Sequence, residues 1–435
     1  MTAPELATEH LGADYYSDPY AVHARLRAQR PVTPVTLPGG DSPAWLVTGY
    51  AEARAALADP RLHKSTPGWA PEPGSVFGVL ERHMLNSDPP DHGRLRRLVN
   101  KVFTTRRVEQ LRPRISAITA GLLDDIPVRS EVDLLASFAF PLPITVICEL
   151  LGIPTDARDR FREWSATVVS NTAAPDVTLA HATAMAGYFR ALLAAKRREP
   201  TGDLLSALIA ARDLQDSLSE DELVSMAFLL LVAGHETTVN LIASGVLALL
   251  LNPGELGRLR GDPSLIGSAV EELLRYVAPV SHATFRCAAE PVDLGGVRIG
   301  RGDAVFVALS GANRDPGRFG DPEGLDLGRD SSGHLAFGHG IHYCVGAPLA
   351  RLEAEIAFAG LLERFGDIRL AVPPESLRWR PSSLIHSLES LPVVLSPAGD
   401  GSGGRSGGAA RSGAARSGDG SGGREAGGIP VRWDA

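Results

Sequence analysis

The 435-residue chain is poor in aromatic residues, at 6%, and has only three cysteines: Cys148, Cys287 and Cys344. No regular spacing links them, which excludes a disulfide framework and a cysteine-rich zinc site and fits a reducing compartment. Basic charge is not in excess. The formal net charge is -8, so non-specific binding to nucleic acid is disfavoured. Residues 1–29 carry Glu, Asp, His and Arg throughout. They have neither the basic-then-apolar order of a secretory signal nor the roughly 20 apolar residues of a membrane span. A soluble, cytoplasmic protein is therefore expected. No internal repeat is visible.

Hydrophobic residues make up 44% of the chain, enough for a large core. One domain is expected over residues 1–397, with its packed part starting near Asp14. Residues 398–435 form a Gly/Ser/Ala/Arg-rich tail with no periodicity and almost no apolar bulk, and are expected to be disordered. Inside the domain helical periodicity dominates. Ser219-Glu220-Asp221-Glu222 reads as a capping box. A long apolar helix follows it, and Asn252-Pro253-Gly254 stops the helix. Its length is about 45 Å at 1.5 Å per residue, so it can cross the whole domain. The polar break Gly234-His235-Glu236-Thr237-Thr238 argues against a membrane helix. Strand-like stretches lie at Ala44–Thr48, Val292–Ile299, Ala304–Leu309 and Leu391–Leu395. The fold class is mainly α with smaller β-sheets (α+β).

Cys344 lies in Phe337-Gly338-His339-Gly340-Ile341-His342-Tyr343-Cys344-Val345-Gly346, and a helical pattern begins directly behind it. The glycines allow positive φ and close passage under a flat macrocycle. A helix start behind the sulfur supplies N–H groups that favour the thiolate. This segment resembles, residue for residue, the haem-binding loop of the cytochrome P450 family. The resemblance implies the fold of that family, with the long helix crossing over haem b. It makes Cys344 the axial iron ligand, with Phe337, Gly338 and Gly346 shaping the loop around the cofactor.

The second signal is Ala233-Gly234-His235-Glu236-Thr237-Thr238. Small Ala233 and Gly234 are expected to leave room over the cofactor. Glu236 and Thr237, an acid beside a hydroxyl where the helix is expected to open locally, are expected to relay protons for O₂ activation. Glu272 and Arg275 stand three apart on one helix face and can pair. The resemblance buries that pair and adds Arg329 as a third member, with a structural role. His92, Arg96, Arg286 and His342 occupy the family's positions for holding the two haem propionates. From His92 to Arg107 the chain has Arg94, Arg96, Arg97, Lys101, Arg106 and Arg107 and no acid. A basic face of this kind suits an acidic electron carrier.

The resemblance implies a monooxygenase that takes electrons from NAD(P)H through a ferredoxin and its reductase, with O₂ as cosubstrate, and acts as a monomer. The pocket is expected from Val76–Leu85, Leu229–Ala233, Pro279–Thr284 and Ser383–Ser387, mostly small or apolar residues that suit a large, weakly polar ligand. His282, Asn86 and His386 are expected to be exposed rather than to orient a ligand hydroxyl. The runs Leu85–His92 and Ala233–Thr238 are similar to those of actinobacterial members that hydroxylate macrolides, other polyketides or steroid-like molecules. The alternative reactions are epoxidation and oxidative aromatic coupling. A peroxide-driven peroxygenase would not need the Glu236–Thr237 relay. The alternative of another class is a non-catalytic haem sensor or carrier, which would be expected to lack that relay or the cysteine.

Overall fold

The computed structural model describes residues 7–38, 40, 42–64, 72, 74–101, 103–154, 157–169, 173–215 and 218–398. The expected tail thus lies, beyond Ala398, outside the described residues. Helices carry most of the fold, and three small sheets lie among them. The helix Glu220–Leu251 runs without interruption through the main core. Its capping box forms on both sides. Ser219 Oγ accepts from the Glu222 N–H at 3.1 Å, and Glu222 Oε2 accepts from the Ser219 N–H at 2.7 Å. The helix is long and apolar enough to cross a membrane, yet its most apolar window is 72% buried inside the fold. The helix ends at Asn252, and Pro253 opens the next helix, where its missing N–H costs nothing.

The largest sheet has six strands in the order Glu9–His10, Val32–Thr36, Pro43–Val47, Ala304–Val307, Arg286–Ala288 and Leu62–His63. Its first strand pairs with Val35 and Thr36, so ordered packing begins ahead of Asp14, at the edge of a sheet whose other strands lie far off in sequence. The stretch Val292–Ile299 is not one strand but a hairpin, turned at Gly295 and Gly296 with φ of 57° and 78°. The strand from Ala304 ends at Val307, and Leu309 starts a short helix. A three-stranded sheet joins Phe365–Leu370, Pro392–Pro397 and Glu131–Asp133.

The sheet register matters for the site. His63 pairs with Cys287 and Leu62 with Ala288 in antiparallel sense. Lys64 directly follows that strand, near Arg286 of the facing one.

Candidate active site

The Cys344 loop is built by backbone geometry first. Gly338 and Gly340 take φ of 73° and 76°. A Cβ on Gly340 would also stand 2.8 Å from the Leu57 carbonyl oxygen, so no other residue fits there. Gly346 is different. It precedes the helix Ala347–Arg364 with an ordinary φ of -83°, and it serves through its N–H rather than its conformational freedom. The Cys344 N–H donates to the Phe337 carbonyl at 2.9 Å, closing the loop. Phe337 is braced by Arg351, whose guanidinium lies 4.5 Å from the ring centre.

Cys344 is an exposed residue, although much protein surrounds its sulfur. That surrounding protein pushes the thiol above its ordinary pKa. The amides of Gly346 and Ala347 and the guanidiniums of Arg96 and Arg351 pull the other way without prevailing. The helix-start amides thus favour the thiolate, as expected from sequence, while burial opposes it. A bound cation is needed to complete it.

The expected cofactor-holding residues come together beside this loop. The His92 and His342 rings lie 4.4 Å apart. Arg96 donates to the Tyr343 carbonyl, next to the cysteine. Arg286 is buried, and its Nη1 makes a long 3.4 Å contact to the Leu62 carbonyl. His92 Nε2 and Arg286 Nε are both buried without a hydrogen-bond partner. An unmet donor costs about 1–3 kcal/mol, more when charged, so the Arg286 Nε points to an anion that completes it. The two carboxylates of haem fit that demand, and the exposed Cys344 sulfur fits its iron. Burial, reinforced by nearby cations, holds His342 down to about 3, so its ring is a neutral hydrogen-bonding partner and not a charge.

On the long helix, Ala233 is exposed between the buried runs Leu223–Leu231 and Thr238–Leu249. Three expectations change here. Gly234 does not leave open room: a Cβ there would stand 2.7 Å from the Ile147 side chain, so the glycine serves helix packing. The helix shows no local opening. Thr237 Oγ1 donates to the Ala233 carbonyl at 3.1 Å, and Asn240 Nδ2 to the Glu236 carbonyl at 2.7 Å, within continuous helix. Glu236 is turned away from Thr237. Its carboxylate accepts from Ser165 Oγ at 3.0 Å and lies 3.4 Å from His235 Nε2. Burial raises the Glu236 pKa, but the His235 and Ser165 contacts outweigh it and leave the carboxyl below its usual value.

Glu272 and Arg275 are fully buried and joined by two 2.7 Å bonds, and Arg329 Nε reaches Glu272 Oε1 at 3.2 Å. Arg94 leaves the basic face, because it pairs with Asp91 and with Glu222 of the capping box. Arg97, Lys101 and Arg106 remain exposed. His282 and His386 are buried, at 2% and 6% exposure, contrary to expectation. His282 bonds Tyr15 Oη at 2.6 Å and the Ser383 carbonyl at 2.6 Å, while His386 stacks on Trp379 at 3.8 Å.

Sequence reasoning missed Glu271, His334 and Lys64. Glu271 accepts from Arg351 at 2.6 and 2.9 Å and meets His334 Nε2 at 3.2 Å. These contacts overcome burial and hold its carboxyl down at about 2. The adjacent Glu271-Glu272 pair, with arginines on both sides, was the available signal. Lys64 had none, because its neighbours are set by sheet register.

A family profile described as Cytochrome P450 matches residues 264–384. The chain is 51% identical over 397 residues to Cytochrome P450 107B1 of Saccharopolyspora erythraea, covering 87% of this chain and 95% of that protein. It is 45% identical over 407 residues to the 6-deoxyerythronolide B hydroxylase of the same organism, covering 91% and 99%. The structure superposes on the tirandamycin C-bound P450 monooxygenase TamI with a TM-score of 0.84 at 51% identity, covering 89% of this chain and all of that one.

Proposed function

The chain belongs to the cytochrome P450 family, and from that premise we propose how its own residues serve the monooxygenase reaction and on what class of substrate. Bound haem supplies an iron centre that reduces O₂, places one oxygen atom in the substrate and releases the other as water, with electrons that originate in NAD(P)H.

Cys344 would supply the thiolate ligand to the haem iron. The Gly346 and Ala347 amides and the Arg96 and Arg351 charges steady its anionic form once metal is bound. His92, Arg96, Arg286 and His342 hold the cofactor's carboxylates. The buried, unpartnered Arg286 Nε, beside the unpartnered His92 Nε2, is the observation that carries this assignment. Glu272, Arg275 and Arg329 keep the region ahead of the Cys344 loop in shape. Thr237 presents its hydroxyl beside exposed Ala233. Glu236 takes a proton from the Ser165–His235 side, and a rotamer change carries it to Thr237.

The substrate is a large, mostly apolar secondary metabolite of macrolide or polyketide type, hydroxylated at a C–H bond. Two relatives support this class: one is named a 6-deoxyerythronolide B hydroxylase, and another is bound to tirandamycin C. Two of the four expected pocket segments are adjacent, since Val280 and Ile385 form a β-bridge. The ring nitrogens of His282 are engaged within the protein, so that histidine leaves the pocket without a polar handle. Electrons arrive from a cytoplasmic ferredoxin docked on exposed Arg97, Lys101 and Arg106, and the enzyme works as a monomer.

The test is the carbon monoxide difference spectrum of the dithionite-reduced holoenzyme, followed by titration with macrolides and steroids. The thiolate-type red-shifted band and a low-to-high-spin change with a macrolide are expected. An imidazole-type band would refute Cys344 ligation. A spin change with steroids alone would refute the substrate class.

A further inference from the structure

We propose that Lys64 is a further cofactor-holding residue, supplying buried positive charge to a haem carboxylate alongside Arg286. This rests on the haem-thiolate reading above. The strand Leu62–His63 runs antiparallel to Arg286–Ala288, Lys64 directly follows it, and the Arg286 charge acts on Lys64. Like charges near each other repel. Here both are also buried, at 7% and 4% exposure, where repulsion is weakly screened.

The protein does not neutralise them. The Lys64 ammonium donates to the Thr284 carbonyl at 2.6 Å, to the Thr284 hydroxyl, and to the Phe285 carbonyl at 3.3 Å. These acceptors satisfy its protons but not its charge. Two carboxylates act on Arg286, Asp88 and Asp59. Asp59 is engaged by Arg61 in a two-bond pair at 2.9 and 2.7 Å. Asp88 accepts from the Lys64 backbone N–H at 3.0 and 3.1 Å. Among the described residues it acts on both buried cations.

Two buried cations therefore share the Asp88 carboxylate, beside an arginine Nε and a histidine Nε2 that lack partners. The missing negative charge and the missing acceptors lie together, next to the loop that carries Cys344. The ammonium proton on the longest bond, toward the Phe285 carbonyl, is the one a carboxylate takes. A lysine kept charged by a carboxylate of the cofactor would also favour the reduced form of its metal.

The test uses the holoenzyme and two variants. Lys64→Gln keeps a donor for the Thr284 and Phe285 carbonyls but no charge. Lys64→Arg keeps the charge. Two quantities are read: the rate of haem transfer to excess apomyoglobin and the ferric/ferrous midpoint potential. Lys64→Gln is expected to release haem about tenfold faster, as loss of one charge-assisted contact predicts, and to have a lower midpoint. Lys64→Arg is expected to stay near the unsubstituted enzyme. Reconstitution with haem dimethyl ester, which lacks the carboxylate charge, is expected to abolish the difference between Lys64→Gln and the unsubstituted enzyme. Unchanged release and midpoint in Lys64→Gln would overturn this role alone and leave Lys64 as a strand tie. A difference that persists with the ester would do the same. Failure of the unsubstituted chain to bind haem through sulfur would instead overturn the functional reading itself, and this role with it.

Discussion

Arg275 and Arg286 are both buried, at 0% and 4% exposure, yet they are served very differently. All five N–H groups of Arg275 find acceptors: both oxygens of Glu272 and the carbonyls of Asn313, Pro322 and Gly324. Glu272 in turn is filled by Arg329, Ser331 and the Asp326 N–H. Arg286 has one long bond, an empty Nε and a second cation near it. A buried charge is tolerated only when it is paired and hydrogen-bonded. The first arginine meets that condition from within the chain. The second meets it only when an anion binds. One site holds the fold together, and the other is held ready for a ligand.

The largest effect that separates the two kinds of site is at Cys344 itself. Cys344→His is expected to retain weak haem binding and lose monooxygenation, with the carbon monoxide band moving to the imidazole-type position. Retained product formation would refute the thiolate assignment.

Next comes the complete network. Glu272→Gln leaves Arg275 buried without its counter-charge, so a loss of about 3–5 kcal/mol is expected in urea unfolding of the haem-free protein. The matching change at the incomplete site, Arg286→Met, removes an uncompensated cation. In the haem-free protein it is expected to cost less than about 1 kcal/mol, or to stabilise, while haem release rises about tenfold. Equal destabilisation by both substitutions would erase the contrast.

Acid sharpens it in another way. His282 and His386 sit in a satisfied buried cluster, and burial lowers each from 6.5 to about 4, against the opposing pull of a backbone carbonyl. The folded state therefore binds fewer protons than the unfolded state between those values. Their stabilisation is fully present above pH 6.5 and is lost as pH falls toward 4, by about 3 kcal/mol for His282 alone. A thermal-unfolding midpoint that stays flat over this window would contradict the buried neutral cluster. Glu271, held at about 2, keeps its contribution until pH falls below the ordinary carboxylate range.

The smallest structural change expected is Thr237→Ala. It leaves the fold and haem binding intact and diverts NAD(P)H from product to peroxide. Unchanged coupling of NAD(P)H to product would remove Thr237 from proton delivery.

Local pattern made much of this legible. The capping box at Ser219 and Glu222, the helix stop at Asn252, the positive-φ glycines of the Cys344 loop and the Glu272–Arg275 spacing all depend on residues within a few positions of each other. Gly234 misled because the group it makes room for, Ile147, belongs to another helix. Glu236 was read beside Thr237 because they are adjacent in sequence, but neighbours on a helix point about 100° apart, and Ser165 of a different helix takes the carboxylate. His282 and His386 looked like exposed loop residues, because nothing near them in sequence announces Tyr15 or Trp379.

The amino-acid sequence by itself determined the family, the thiolate loop and the long helix, since each is written in short-range spacing and backbone propensity. Tertiary structure alone decided which charges are complete. Lys64 and Arg286 are 222 positions apart, and only the antiparallel pairing of two short strands brings them near each other. Whether a buried charge meets its counter-charge is a question of distance in space, and short-range patterns do not contain that distance.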